Sequence, residues 1–192
     1  MIRWLLVVLV GLVALPAWAQ QGREEDEADD SGHATPQHLS TFDDMRQRLA
    51  SNPSAQNQAL LLQQGSGNQT SAAQYQNGSG ANMLQIQQVG NNNAADLTQR
   101  GAGLEYDVEQ RGRANEVSGS MVGSNTESVI RQQGSANKLQ QELTTDGRRY
   151  LVEQSGYGNE LIQREGGGAA AAPGYEVRMT GGMRVVIEQG RP

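Results

Sequence analysis

The chain has 192 residues, no cysteine, 24 glycines, 4% aromatic residues and a formal net charge of −6. That composition excludes a disulfide framework and thiolate metal sites, and without a basic stripe it argues against nucleic acid as a partner. Both histidines, His33 and His38, sit in the acidic N-terminal third, so no Ser/His/Asp arrangement is available to the rest of the chain.

Residues 1–19 read as an export signal. Arg3 supplies the positive start, Leu5 to Leu15 the apolar run, and Ala17-Trp18-Ala19 a small-x-small cleavage site. The apolar stretch is too short and wrongly flanked for a membrane span; a buried helix is the alternative. Cleavage after Ala19 removes Trp4 and Trp18, leaving Phe42 and the five tyrosines as the aromatic residues.

Residues 20–57 are an acidic leader. Glu24, Glu25, Asp26, Glu27, Asp29, Asp30, Asp43 and Asp44 oppose only Arg23, Arg46 and Arg48, so 3 − 8 gives −5, most of the −6 of the whole chain. Pro36, Pro53 and many small polar residues predict disorder. Phe42 to Leu49 forms a candidate short helix capped by Ser40 or Thr41. Two histidines without cysteine or fixed spacing are poor metal ligands. A tail read by a secretion or chaperone system is the more useful expectation.

Residues 58–165 carry a period. Gln-x-Gly-x-x-Asn occurs as Gln88/Gly90/Asn93, Gln110/Gly112/Asn115, Gln132/Gly134/Asn137 and Gln154/Gly156/Asn159, so 110−88, 132−110 and 154−132 each give 22. An earlier copy, Gln63/Gly65/Asn68, lies 25 upstream of Gln88, and the stretch from Gln76 to Asn82 absorbs the three extra residues as a longer turn. Gly90, Gly101, Gly112, Gly123 and Gly134 mark a half-period of 11. Phased repetition of this kind marks a repeat architecture. All five Gln/Gly/Asn triplets, with Gln99, are expected to form the stacking ladder.

Between the glycines the chain alternates. Leu84, Ile86 and Gln88 share one face, as do Tyr106, Val108, Gln110 and Tyr150, Val152, Gln154. Past each turn run Ala95, Leu97, Gln99, then Val117, Gly119, Met121, then Leu139, Gln141, Leu143. Period-two alternation predicts strands with one buried face, and Gly-x-x predicts tight turns. Each 22-residue unit is therefore one rung of a β-solenoid, an all-β fold of two-strand rungs stacked as parallel, in-register sheets. Five rungs are countable, at roughly 58–76, 82–99, 104–121, 126–143 and 148–165. Stacking sets Gln on Gln and Asn on Asn, so that each buried amide finds its partner in the next rung. It also stacks Glu109, Arg131 and Glu153 in one outer column and Glu116, Lys138 and Glu160 in another, with Glu105 over Glu127 an unfavourable pair. Glu105, Asp107 and Glu109 read as a solvated face followed by Arg111 and Arg113, not as a catalytic carboxylate cluster.

In these residues the chain resembles the curlin repeat family, the subunits of curli amyloid fibres. Gln88-Val89-Gly90-Asn91-Asn92-Asn93-Ala94-Ala95-Asp96-Leu97-Thr98-Gln99 meets the family pattern Gln-x-Gly-x-x-Asn-x-Ala-x-x-x-Gln in full. Looser matches run from about residue 59 to 165. Val117, Leu139 and Leu161 replace the small residue, and Met121, Leu143 and Glu165 the closing Gln. In the half-repeats Leu104, Thr126 and Arg148 stand where Asn is expected, and Thr145 where Gly is. The resemblance implies a secreted fibre subunit, closest in character to the minor or nucleating one. Its implied partners are itself and other curlin-type subunits, the curli export and outer-membrane secretion machinery, and the surface of a Gram-negative-type bacterium. In that family the segment before the repeats is read by the export machinery, and this leader has no obvious match to that signal.

Residues 166–174 form a Gly/Ala-rich joint. Tyr175, Val177, Met179 and then Met183, Val185, Ile187, Gln189 alternate around Gly181-Gly182, either as a sixth, variant rung or as a closing hairpin. The resemblance suggests anchoring at the cell surface through Arg178, Arg184, Val185, Ile187 and Gln189, with Arg191 adding charge. No enzymatic chemistry, cofactor or metal is expected. Three functions remain open: a curlin-like structural subunit, minor or bulk; a monomeric solenoid adhesin or binding module; and a disordered Gln/Asn-rich exoprotein.

Overall fold

A computed structural model describes residues 57–167 and 174–190. The export signal, the leader with His33, His38 and the Phe42–Leu49 helix, residues 168–173 of the joint, and Arg191 lie outside the described residues.

The strands come in pairs, one pair to a rung. The first rung is β1 (Gln58–Gln64) and β2 (Gln69–Gln76); the second is β3 (Met83–Asn91) and β4 (Ala94–Ala102). The third is β5 (Glu105–Arg113) and β6 (Glu116–Ser124), and the fourth β7 (Glu127–Ser135) and β8 (Lys138–Asp146). The fifth is β9 (Arg149–Tyr157) and β10 (Glu160–Glu165), and the sixth β11 (Glu176–Thr180) and β12 (Arg184–Gln189). Odd-numbered strands build one six-stranded sheet in the order β1-β3-β5-β7-β9-β11, and even-numbered strands build the other. All neighbouring pairs are parallel. The fold is therefore the expected all-β solenoid, with about six turns.

Register explains the spacing of the sequence. Gln88 pairs with Gln110, Gln110 with Gln132 and Gln132 with Gln154. Gln63 pairs with Gln88, so the turn between Gln76 and Met83 takes up the three extra residues without a slip. A slip of one residue would turn every buried side chain outward. The last unit is a rung and not a hairpin. Although it breaks the 22-residue period, Val177 pairs in parallel with Val152, and Val185 with Leu161.

The glycine ladder runs through all five copies of the motif. Gly90, Gly112, Gly134 and Gly156 pair in sequence inside their strands. Gly65, in the bend just past β1, stacks on Gly90 in the same way: a Cβ on Gly65 would lie 1.9 Å from Gly90 O, as one on Gly90 would lie 2.0 Å from Gly112 O. The bend is tied to the second rung by Ser66 N–H donating to Asn91 Oδ1 at 3.1 Å.

The core lies between the two sheets. Leu84, Ile86, Tyr106, Val108, Ile130, Tyr150 and Val152 from one sheet meet Ala95, Leu97, Val117, Met121, Leu139, Leu143 and Leu161 from the other. Burying such side chains contributes roughly 1.5–3 kcal/mol for each large one. Gly119 makes room for the ring opposite, since a Cβ there would lie 2.9 Å from the Tyr106 hydroxyl oxygen. Gln85 and Val129 depart from the expected pattern. Alternation points them outward, yet both are buried.

The turn between the two strands of each rung uses the left-handed region twice. The turn glycines Gly90, Gly112 and Gly134 have φ between 112° and 118°. Two residues later Gly67 and Gly158 have φ of 66° and 68°, but Asn92, Ala114 and Ala136 hold φ of 57°, 56° and 55°. Alanine is strained there by contact between its Cβ and the following carbonyl. Ala114→Gly is therefore expected to raise stability by about 0.5–1 kcal/mol, strain relief outweighing the extra freedom of the unfolded chain. Urea denaturation checks this: an unchanged or lower midpoint contradicts the assigned turn.

Candidate functional site

The features that bear on function are the amide columns running along the stack and the rung edges at which they end. Gln63 donates from Nε2 to Gln88 Oε1 at 2.6 Å. Gln88 donates to Gln110 at 2.7 Å, Gln110 to Gln132 at 2.8 Å, and Gln132 to Gln154 at 2.7 Å. The second hydrogen of Gln63 goes to Thr70 Oγ1 at 3.1 Å, and that of each later nitrogen to a backbone carbonyl of the preceding rung: Gln88 to Gln69, Gln110 to Ala94, Gln132 to Glu116 and Gln154 to Lys138, at 2.9–3.1 Å. A carbonyl can only accept, so these contacts fix which amide atom is nitrogen and hence the direction of the column.

The asparagine column is bonded differently. Each Asn Oδ1 accepts from both the backbone N–H and the Nδ2 of the next Asn, through Asn68, Asn93, Asn115, Asn137 and Asn159. The Nδ2 groups also reach the turn glycine of the following rung: Asn68 to Gly90 O at 2.9 Å, Asn93 to Gly112 O at 3.1 Å, Asn115 to Gly134 O at 3.1 Å and Asn137 to Gly156 O at 3.2 Å. This is the physical reason that Gln, Gly and Asn recur together. The positive-φ turn presents a carbonyl to the asparagine, and the asparagine orders the turn. Gly65 heads the series of glycines, its turn stacked directly on that of Gly90. Gln88, Gln110, Asn93, Asn115, Asn137 and Asn159 are all 0% exposed, so removing one amide strands its neighbours away from water. Gln110→Ala and Asn115→Ala are each expected to cost about 1–3 kcal/mol per stranded partner. Gln87→Ala, on the outer face, should stay within about 0.5 kcal/mol of the parent. Equal urea midpoints for the three variants would show that the faces are misassigned.

The second pair of columns is short. Gln74 donates to Gln99 at 2.8 Å, but Gln99 then pairs with Met121 in register, followed by Leu143 and Glu165. Asn57 and Asn82 begin an asparagine column in which Leu104 next donates only its backbone N–H. In the fourth rung Thr126 Oγ1 bonds to Thr145 O at 3.0 Å, doing the work of the asparagine amide.

In the fifth rung two of the sequence departures meet. Arg148 Nη1 donates to Glu165 Oε2 at 2.8 Å, and Tyr150 OH donates to the same oxygen at 2.5 Å. The Glu165 side chain is fully buried. The rings of Tyr150 and Tyr175 pack edge-to-face at 5.3 Å. Burial first, and the Glu165 carboxylate second, push the Tyr150 phenol up to about 12. An ion pair thus replaces an amide pair at the positions where the motif fails. Sequence spacing alone does not join residues 17 apart; the coil does. Ser128, Gln141 and Gln163 form a further buried polar row, with Ser128 Oγ to Gln141 Oε1 at 2.9 Å and Gln141 Nε2 to Gln163 Oε1 at 2.9 Å.

The outer charge columns are longer than expected. Arg131 lies 3.8 Å from Glu109 and 3.6 Å from Glu153, and Arg178 continues the column at 3.3 Å from Glu153. Lys138 lies 3.3 Å from Glu116, and Arg184 lies 2.9 Å from Glu160. Arg164 joins Glu142 and Glu188 in a third column. Glu127, which faces Glu105, is relieved by Arg149 at 3.2 Å. Glu109 is also held by Arg111 at 2.6 Å. These exposed pairs contribute little each, but they match the rung order. Arg178 and Arg184 are the last members of stacked columns, and Val185 and Ile187 pack partly buried against the core. Gln189 returns an amide to the closing-Gln position, in register with Glu165.

Among the described residues, no group of three or more His, Asp or Glu side chains could hold a metal ion, and no helix is long and apolar enough to cross a membrane. Compared with known proteins, the chain matches no family model, no curated protein and no solved structure.

Proposed function

We propose that this chain is a secreted, curlin-like fibre subunit, minor or nucleating in character, that assembles by stacking its open rung edges into extracellular fibres for adhesion and biofilm matrix. The supporting observation is the pair of amide columns, Gln63 to Gln154 and Asn68 to Asn159, bonded in register through five rungs. Nothing inside one rung closes such a column. Among the described residues β1 and β2 at one end, and β11 and β12 at the other, have a neighbouring strand on one side only; such edges are normally an aggregation hazard and here are the means of assembly. The broken second columns and the divergent sixth rung favour a minor subunit over the bulk one. Its partners in this reading are copies of itself and other curlin-type subunits, the outer-membrane secretion machinery that exports it, and the cell surface.

A second reading is a monomeric solenoid adhesin. It draws on Met179, which ends the glutamine column with a thioether 3.7 Å from Gln154 Nε2. Agitating the mature chain (residues 20–192) in dilute buffer separates the two. The fibre reading expects detergent-resistant, thioflavin-binding fibres; a chain that stays soluble and monomeric for days with a β-rich circular dichroism spectrum favours the adhesin.

A further inference from the structure

The two ends of the solenoid are chemically unequal, and we infer that the first rung is the templating end, built to receive a rung of another subunit that carries amides at three fixed columns. The inference rests on the fibre reading above and adds the identity of the docking end and the chemistry of its partner.

The direction of the columns defines what the first rung lacks. Inside the stack each Gln Oε1 accepts from the Gln of the rung before it, and each Asn N–H donates to the preceding Asn Oδ1. Gln63 Oε1 and Gln74 Oε1 have no such donor among the described residues, and the Asn68 N–H has no such acceptor. An incoming rung that continues the stack must therefore offer an Nε2 over Gln63, an Oδ1 over Asn68 and an Nε2 over Gln74. The face is open to receive it. Ala59 and Ala72, whose partners Leu84 and Leu97 are buried, are exposed in the first rung, and Leu61 is only partly buried.

The chain's own last rung does not meet that demand. Register places Met179 in the Gln63 column and Gln189 in the Gln74 column. Met183 occupies the Asn68 column, where its backbone N–H takes the Asn159 Oδ1 at 3.2 Å. A thioether donates no hydrogen to Gln63 Oε1 and is a weak acceptor for the Asn68 N–H. Gln189 alone fits. The charge columns end in the same way: stacking a second copy sets Arg178 over Leu62 and Arg184 over Gln69, with no acid beneath either. A different subunit, whose final rung keeps Gln, Asn and Gln, is the better partner.

The chain itself supplies the probe, because its last rung can be converted to the amide-bearing form. Met179→Gln with Met183→Asn, in the mature chain, should lower the critical concentration for fibre growth about tenfold or more, as two amide contacts are gained at each junction. Adding Ala72→Lys, which places a charge on the open first rung, should abolish the gain. Met183→Asn alone, at a position 43% exposed, should give part of it and serves if the buried Met179 substitution disturbs folding. Fibres from both parent and converted chain with the same critical concentration would overturn the inference and leave the fibre reading standing. Growth undiminished by Ala72→Lys would show that the first rung is not the docking end. Absence of fibres from every variant would remove the fibre reading and this inference with it.

Discussion

Gly112→Ala is expected to lower stability by about 4 kcal/mol or more, an exceptional cost for adding one methyl group. The φ of Gly112 is 117°, outside the regions open to residues with a side chain. A Cβ there would lie 2.0 Å from Gly134 O and 2.9 Å from its carbonyl carbon. Both are backbone atoms of the next rung, fixed by the sheet ladder, so neither can swing aside. Gly134 O also accepts from Asn115 Nδ2 at 3.1 Å, and pushing it away breaks that contact. Gly147 is the control. Its φ of 66° is left-handed, but no atom lies within 4 Å of an added Cβ. Gly147→Ala should therefore cost only about 1–2 kcal/mol, the price of alanine in that conformation. Urea midpoints of the two variants test the distinction, and equal shifts would contradict the close approach of stacked turns.

Arg148→Ala is expected to cost about 3–5 kcal/mol, because it leaves the Glu165 carboxylate buried without its counter-charge. Tyr150 OH still donates to Glu165, but a phenol does not balance a charge. The double variant Arg148→Met/Glu165→Leu should recover most or all of the loss, since replacing a whole buried pair by apolar groups is often neutral or stabilising. A double variant no more stable than Arg148→Ala would show that the cost comes from lost packing of the arginine stem. The comparison is a double-mutant cycle in urea, with Glu165→Leu as the fourth corner.

Much of the fold was legible because one physical demand repeats. A buried amide needs a partner at constant phase, and the 22-residue spacing of Gln88, Gln110, Gln132 and Gln154 records it. Alternation then assigned Leu84, Tyr106 and Leu139 to the inside. What escaped depends on contacts between rungs. Arg148 and Glu165 looked like two separate failures of the motif, and only the coil shows them to be one ion pair. The left-handed turn position after each glycine was hidden because alanine occupies it at Ala114 and Ala136, where composition gives no signal. Gln85 and Val129 follow the outward phase and are buried all the same. The sixth rung was ambiguous for a simpler reason. Its offsets of 24 and 25 residues break the period, and parallel pairing of β11 with β9 is invisible to a pattern that reads only alternation. The resemblance implies a surface role for Gln189; register sets it at the closing-Gln position, beside Glu165.

Mass per unit length of the assembled fibre is the most direct test of rung stacking between subunits. The described residues form six rungs, each rising about 4.8 Å, and so advance the fibre by about 29 Å; each filament should hold one chain per roughly 29 Å. Scanning transmission electron microscopy of unstained fibres reads this value. One chain per roughly 4.8 Å would mean that each chain occupies a single layer, as in a steric zipper of an unfolded Gln/Asn-rich chain, and would contradict stacking of preformed solenoids.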